Sequence, residues 1–168
     1  KKVFEALEDP EKIVIVQIAP AVRTAWGEEL GLKQEFATVK RLAAALRRLG
    51  FDYIFDTNFS ADLTIMEEGS EFLKRLKHKD TEKFPMFTSC CSGWVRYVKG
   101  HYPEFIDQLS SAKSPQQMFG AIAKSYYAKI LEVDPSNIFS VSIMPGIAKK
   151  HECETFMMND VGGWHEVD

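Results

Sequence analysis

The sequence predicts an α/β fold, a parallel β-sheet flanked by helices on both faces. Short β-branched runs recur along the chain, segments of helical apolar period separate them, and Pro or Gly stands at several junctions. Strands that alternate with helices form parallel sheets, because each crossover lays a helix over one face.

In order, Ile13–Ile18 (IVIVQI) is a β-branched run ending at Ala19-Pro20, the pattern of a buried strand. Val39, Leu42, Ala43, Leu46 and Leu49 then recur at helical spacing, and Gly50 is a natural C-terminal stop. Residues 51–56 read as a second strand, 61–77 as a helix and 86–89 as a third strand. Ser92 is placed to cap a helix through Trp94 and Val98. Ser114-Pro115 pairs an N-cap with a first-turn proline and opens a helix through Met118, Ile122 and Tyr126. Ile138–Ile143 (IFSVSI) is the last strand, broken by Met144-Pro145-Gly146. The tail 154–168 has no clear period, yet Met157, Met158 and Trp164 are apolar, so it is expected to dock, with sequence outside this chain as the candidate surface. Ligands collect at the carboxyl ends of parallel strands. The loops at 19–21, 88–94 and 144–149 are therefore expected to share one edge.

At 168 residues the chain is one domain or one lobe of a larger one, and 45% apolar with 27% charged residues suits a soluble protein with a real core. A net charge of −3 with interspersed signs argues against nucleic acid as a partner. The charged run 74–83 (KRLKHKDTEK) alternates in sign and reads as a solvated helix end and loop. No segment approaches the about 20 apolar residues of a membrane span, and no leader pattern opens the chain. Three cysteines, two of them adjacent, do not make a secreted disulfide framework, so a reducing cytoplasm is expected. The first residue is Lys1 rather than Met, consistent with a fragment or a processed product.

The chemical signal lies in Cys90-Cys91, within FTSCCSGW. Vicinal cysteines often only pack, but a thiol pair after a strand can meet a metal or redox partner in a cleft. Glu68, Glu71 and Arg75 fall on one helical face, either as a surface ion-pair ladder or as a carboxylate relay tuned by partial burial.

With these segments the chain resembles the [FeFe]-hydrogenase catalytic domain. The resemblance runs from about Ile13 to the end and is carried, in the family's order, by ADLTIMEEGSEFLKR (61–75), FTSCCSGW (87–94), SSAKSPQQM (110–118) and VSIMPGIAKKHE (141–152). It implies the N-terminal lobe of a two-lobed domain that interconverts protons and electrons with H2. The implied cofactor is the H-cluster, a [4Fe–4S] cubane joined through a cysteine thiolate to a di-iron unit carrying CO, cyanide and a dithiolate bridge. By resemblance Cys91 is a cubane ligand, thiolates being the usual ligands of such clusters. Cys90 is the thiol delivering protons, and Ser110, Glu68, Glu71 and Arg75 continue the proton path. Lys149 donates to a cyanide, a fixed cation beside an anion. Ala19, Pro20, Ser114, Pro115, Gln116 and Met144 line the di-iron pocket. The implied partners are a second lobe carrying a CxxxC pair of ligands and an electron carrier, a ferredoxin or a partner subunit.

One departure stands out. Where the family's MPC triad supplies a cubane thiolate, this chain has Gly146, and Cys153, seven residues on, occupies no ligand position of the pattern. Ser92 replaces the usual proline after the pair. Two other classes of function therefore stay open: a non-catalytic sensor or assembly scaffold with an incomplete cluster site, and a thiol-redox module using a vicinal disulfide, which no CxxC motif supports.

Overall fold

A computed structural model of the chain describes residues 1–159 and 162–168. Its elements are α1 (Lys2–Glu8), β1 (Ile13–Ile18), α2 (Pro20–Ala25), α3 (Val39–Arg48), β2 (Tyr53–Asp56), α4 (Asn58–Lys77), α5 (Ser92–His101), α6 (Pro115–Ile122), α7 (Ala128–Leu131), β3 (Ile138–Ile143) and α8 (Ala148–Cys153). A π-helical turn, Ala123–Tyr127, joins α6 to α7.

β1 is the centre of a parallel sheet ordered β2-β1-β3. Ile15 pairs with Tyr53 and Ile18 with Asp56 on one side, while Ile13 pairs with Ile138 and Ile18 with Ile143 on the other. Side chains alternate across a strand, so β1 serves two cores. Val14, Val16 and Ile18 pack with Ala6 of α1 and with Leu42 and Leu46 of α3. Ile15 packs on the opposite face with Phe119 of α6, Ala123 and Ala128. Burying each such aliphatic side chain stabilises by about 1.5–3 kcal/mol relative to exposure. Helices thus cover both faces, as the sequence predicts.

Residues 86–89 do not form a third strand. Phe87 makes one isolated parallel bridge to Leu109, its N–H donating to the Gln108 carbonyl at 2.8 Å and its own carbonyl accepting from Ser110 at 2.7 Å. The apolar content of this short run goes into ring contacts with Trp94 and Phe105, at 5.9 and 6.0 Å, rather than into a ladder. The cap of α5 also shifts by one residue. Cys91, not Ser92, is the N-cap, its Sγ accepting from the Trp94 N–H at 3.4 Å, while Ser92 is buried in the first turn.

The tail docks on the chain's own sheet edge. Val167 and Glu166 are buried, and Asp168 N donates to the Ser140 carbonyl of β3 at 2.8 Å. Met157 contributes nothing to this, being 75% exposed. Residues 160–161 of this tail lie outside the described residues. Among those described, no helix is long and apolar enough to cross a membrane.

Candidate active site

At the carboxyl edge of the sheet, the Ala19 N–H donates to the Ile143 carbonyl at 3.0 Å, which brings the ends of β1 and β3 together. Ala19 is buried and Pro20 opens α2, exposed. The chain leaving β3 passes half-buried Met144 and turns at Gly146, whose φ of +96° is a conformation that favours glycine. The loop before α5 follows no strand, yet it reaches the same edge, because Lys149 Nζ donates to the Cys90 carbonyl at 2.7 Å.

Behind this edge lies a buried polar network. Gln17 is the one polar side chain of β1, and on the α6 face it donates through Nε2 to the Gln116 carbonyl at 3.0 Å and accepts from Thr57 Oγ1 at 3.2 Å. Gln116 accepts at Oε1 from Ser142 Oγ at 2.6 Å and donates to Cys153 Sγ at 3.0 Å. Ser114 caps α6 by accepting from the Gln117 N–H at 3.4 Å, and its hydroxyl donates to Glu152 Oε2 at 2.9 Å. Lys149 reaches the same oxygen at 3.0 Å. Pro115 takes the first turn of α6. Buried amides are tolerated when their donors and acceptors are matched, as the Gln17 and Gln116 amides are here.

On the other side of the cysteine pair stands the carboxylate series. Glu68 Oε1 accepts from the Ser89 N–H at 3.1 Å, one residue before Cys90. Glu71 Oε2 accepts from Ser110 Oγ at 2.8 Å and from the Ser111 N–H at 3.0 Å. Its other oxygen takes Arg75 Nη2 at 2.6 Å and Nε at 3.1 Å. Arg75 also donates to the Asp107 and Leu109 carbonyls, both at 3.0 Å. Burial pushes the Glu71 carboxyl up, but the hydrogen bonds from Ser110, Arg75 and Ser111 and the charge of Arg75 outweigh it and hold it below the ordinary glutamate value. Ser110, Glu71 and Arg75 therefore form one bonded run. Glu68 sits apart from it, on the backbone beside the thiols. Among the described residues the Cys90 thiol makes no hydrogen bond.

The thiols divide by environment. Cys90 and Cys91 are exposed, whereas Cys153 is half-buried and donates to the Lys149 carbonyl at 3.1 Å. Burial, then the Glu152 charge, push the Cys153 thiol up to about 11, so it stays protonated and is a poor metal ligand at neutral pH. A side chain placed at Gly146 would meet no heavy atom within 4 Å, so the position faces open space with no donor. Among the described residues no group of three or more His, Cys, Asp or Glu side chains gathers to hold a metal ion. Set against the H-cluster site that the resemblance implies, the residues present offer one exposed thiol at Cys91 and one cation at Lys149. They do not fit the cubane at position 146.

Reading from sequence missed Gln17 and Ser89, and took Glu152 only as the last residue of the segment 141–152, with no role of its own. Glu152 was legible in one respect: Lys149 and Glu152 stand at i, i+3 and so share a helical face. Its burial, at 4% exposure, comes from α6 packing against it and leaves no trace in local pattern.

Comparison with known proteins shows what family and fold the chain shares. Residues 12–168 match the family model for the iron only hydrogenase large subunit, C-terminal domain. The chain is 58% identical over 156 residues to NADP-reducing hydrogenase subunit HndD of Solidesulfovibrio fructosivorans, covering 90% of this chain and 27% of that one. It is 35% identical over 144 residues to cytosolic Fe-S cluster assembly factor narfl of Xenopus tropicalis, covering 84% of this chain and 30% of that one. A solved variant of apo [FeFe]-hydrogenase HydA1 from Chlamydomonas reinhardtii superposes with a TM-score of 0.92 at 47% identity, covering 99% of this chain and 43% of that one. The chain thus spans about a third or less of the curated relatives and under half of the solved structure.

Proposed function

The chain belongs to the iron only hydrogenase large subunit, C-terminal domain family, and from that premise we propose that it forms the N-terminal lobe of a catalytic domain reducing protons reversibly to H2. The observation that carries this reading is the placement of Cys90-Cys91 between a lysine held for an anion and a serine–carboxylate–arginine run. When bound, the H-cluster would supply the redox chemistry and the site at which H2 forms.

The chain's own residues hold, orient and move protons around that group. Cys91 offers one thiolate to the cubane while its sulfur also accepts from the Trp94 N–H. Such a bond fixes the position of the sulfur. In this reading Lys149 presents an ammonium to the bound group, and Ala19, Pro20, Ser114, Pro115, Gln116 and Met144 are the residues that would line its pocket. Cys90 is the exposed thiol that hands a proton inward. Ser110 and Glu71 hold the proton route on the α4 side, and Arg75 keeps Glu71 charged and aimed at Ser110. Glu68, fixed to the backbone at Ser89, occupies the gap between that run and Cys90. A second lobe with two further thiolates and an electron carrier such as a ferredoxin complete the enzyme in this reading. Exposed free thiols suit a reducing cytoplasm.

A second reading rests on two specific observations, the identity with an Fe-S cluster assembly factor and the missing thiolate at Gly146. In it the fold serves as an iron–sulfur scaffold without H2 chemistry. The test is maturation of the full-length protein followed by infrared spectroscopy and H2 assay. Bands of metal-bound CO and cyanide with H2 turnover support the hydrogenase. Bound iron with neither bands nor turnover supports the scaffold and sinks the first reading.

A further inference from the structure

Glu152 is a buried carboxylate on the last turn of α8, and one of its oxygens gathers three donors from two helices. Oε2 accepts from Ser114 Oγ at 2.9 Å, Lys149 Nζ at 3.0 Å and Gln116 Nε2 at 3.5 Å. An ammonium carries three N–H donors. Lys149 gives one to the Cys90 carbonyl at 2.7 Å and one to Glu152, and among the described residues its third has no partner.

Two fixed acceptors determine where the third donor points. A lysine stem has four rotatable bonds, and its head is otherwise free to swing. Ser114 is settled by the same oxygen: its proton goes to Glu152 and its lone pair takes the Gln117 N–H. With Ser142 at its oxygen and Cys153 at its nitrogen, Gln116 is equally settled. Glu152 therefore orients Lys149 and Ser114 directly, while Gln116, which reaches it at 3.5 Å, is held mainly by Ser142 and Cys153.

We propose that Glu152 is a positioning residue that aims the remaining N–H of Lys149 at a small anion bound beside Cys90. The geometry asks only for a small anion; its identification as an iron-bound cyanide rests on the hydrogenase reading.

The test uses the full-length protein with E152A, E152Q and, as a reference, K149M. Because a single oxygen does the gathering, a glutamine that keeps an oxygen there should preserve the geometry. In apo crystal structures, E152Q is expected to retain Lys149 Nζ within hydrogen-bond distance of the Cys90 carbonyl, and E152A to release it. E152M, closer in volume, takes the place of E152A if that variant does not fold. In the matured protein, E152A should displace an infrared cyanide band in the same direction as K149M and lower H2 turnover about 10-fold, with E152Q near wild type. Lys149 unmoved in apo E152A or E152M overturns the proposal. If matured wild type shows no cyanide bands, the hydrogenase reading fails, and the apo structures still decide the role of Glu152.

Discussion

Replacing Gly146 with Cys tests the least expected position of the chain. The backbone there has φ +96°. An L-residue in the left-handed region costs about 1–2 kcal/mol, because Cβ crowds the following carbonyl. No steric cost adds to this, since nothing lies within 4 Å of the new Cβ. For a domain of this size, about 2–4 °C of melting temperature corresponds to each kcal/mol. The apo form of Gly146→Cys should therefore melt about 2–8 °C lower than wild type.

Iron should reverse the sign. A thiolate in the open space at position 146 adds a donor where the chain has glycine, so the reconstituted variant should bind more iron per chain and regain the lost stability through binding linkage. The assay is paired thermal melts with iron and sulfide analysis, before and after cluster reconstitution of the full-length protein. An apo melt that is unchanged or raised would refute the strain argument. Equal iron in both proteins would refute the claim that position 146 faces the cluster.

Three further outcomes follow from the same geometry. The Glu71 carboxyl is held below its ordinary 4.5, so its bonds stabilise the fold above that pH and lose effect as pH falls through the lowered value; Glu71→Gln should destabilise by about 1–2 kcal/mol at pH 7 and by progressively less as pH falls through that lowered value, measured by urea denaturation. At pH 8 a thiol reagent should modify Cys90 and Cys91 quickly and Cys153 slowly, with the Cys153 rate rising toward pH 11, read by mass spectrometry of the alkylated peptides; three equal rates would contradict the assigned burial. Lys124, buried at 2% exposure, donates to Asp168 Oδ2 at 2.6 Å and to the His165 carbonyl, so Lys124→Met should cost about 3 kcal/mol and expose residues 162–168 to hydrogen exchange.

Legibility in the sequence followed the range of the interaction. The strands at 13–18 and 138–143 and the helix at 39–48 were readable because burial on a sheet face or helix stripe writes a local period. The Ser114 cap was readable because capping chemistry is local as well. The run 86–89 misled because it follows apolar sequence and has strand composition, while the bridge partner Leu109 lies outside the sheet and the Phe87 ring is satisfied by Trp94 and Phe105.

The site itself was legible through its motif residues and illegible through their supports. Gln17 looked like a polar blemish in an apolar strand, and only the fold shows the Gln116 carbonyl and Thr57 waiting for it across 99 and 40 residues. Glu152 carries the same lesson with more consequence. A charged residue on a six-residue helix reads as surface until α6 covers it, and then its cost of burial demands several donors. Those donors turn out to be Lys149, Ser114 and Gln116, each of which the resemblance assigns to the pocket. A buried acid that recruits the pocket's own polar groups ties their geometry to the integrity of the fold. Damage to the α6–α8 contact should therefore appear first as a misdirected lysine and only later as lost stability.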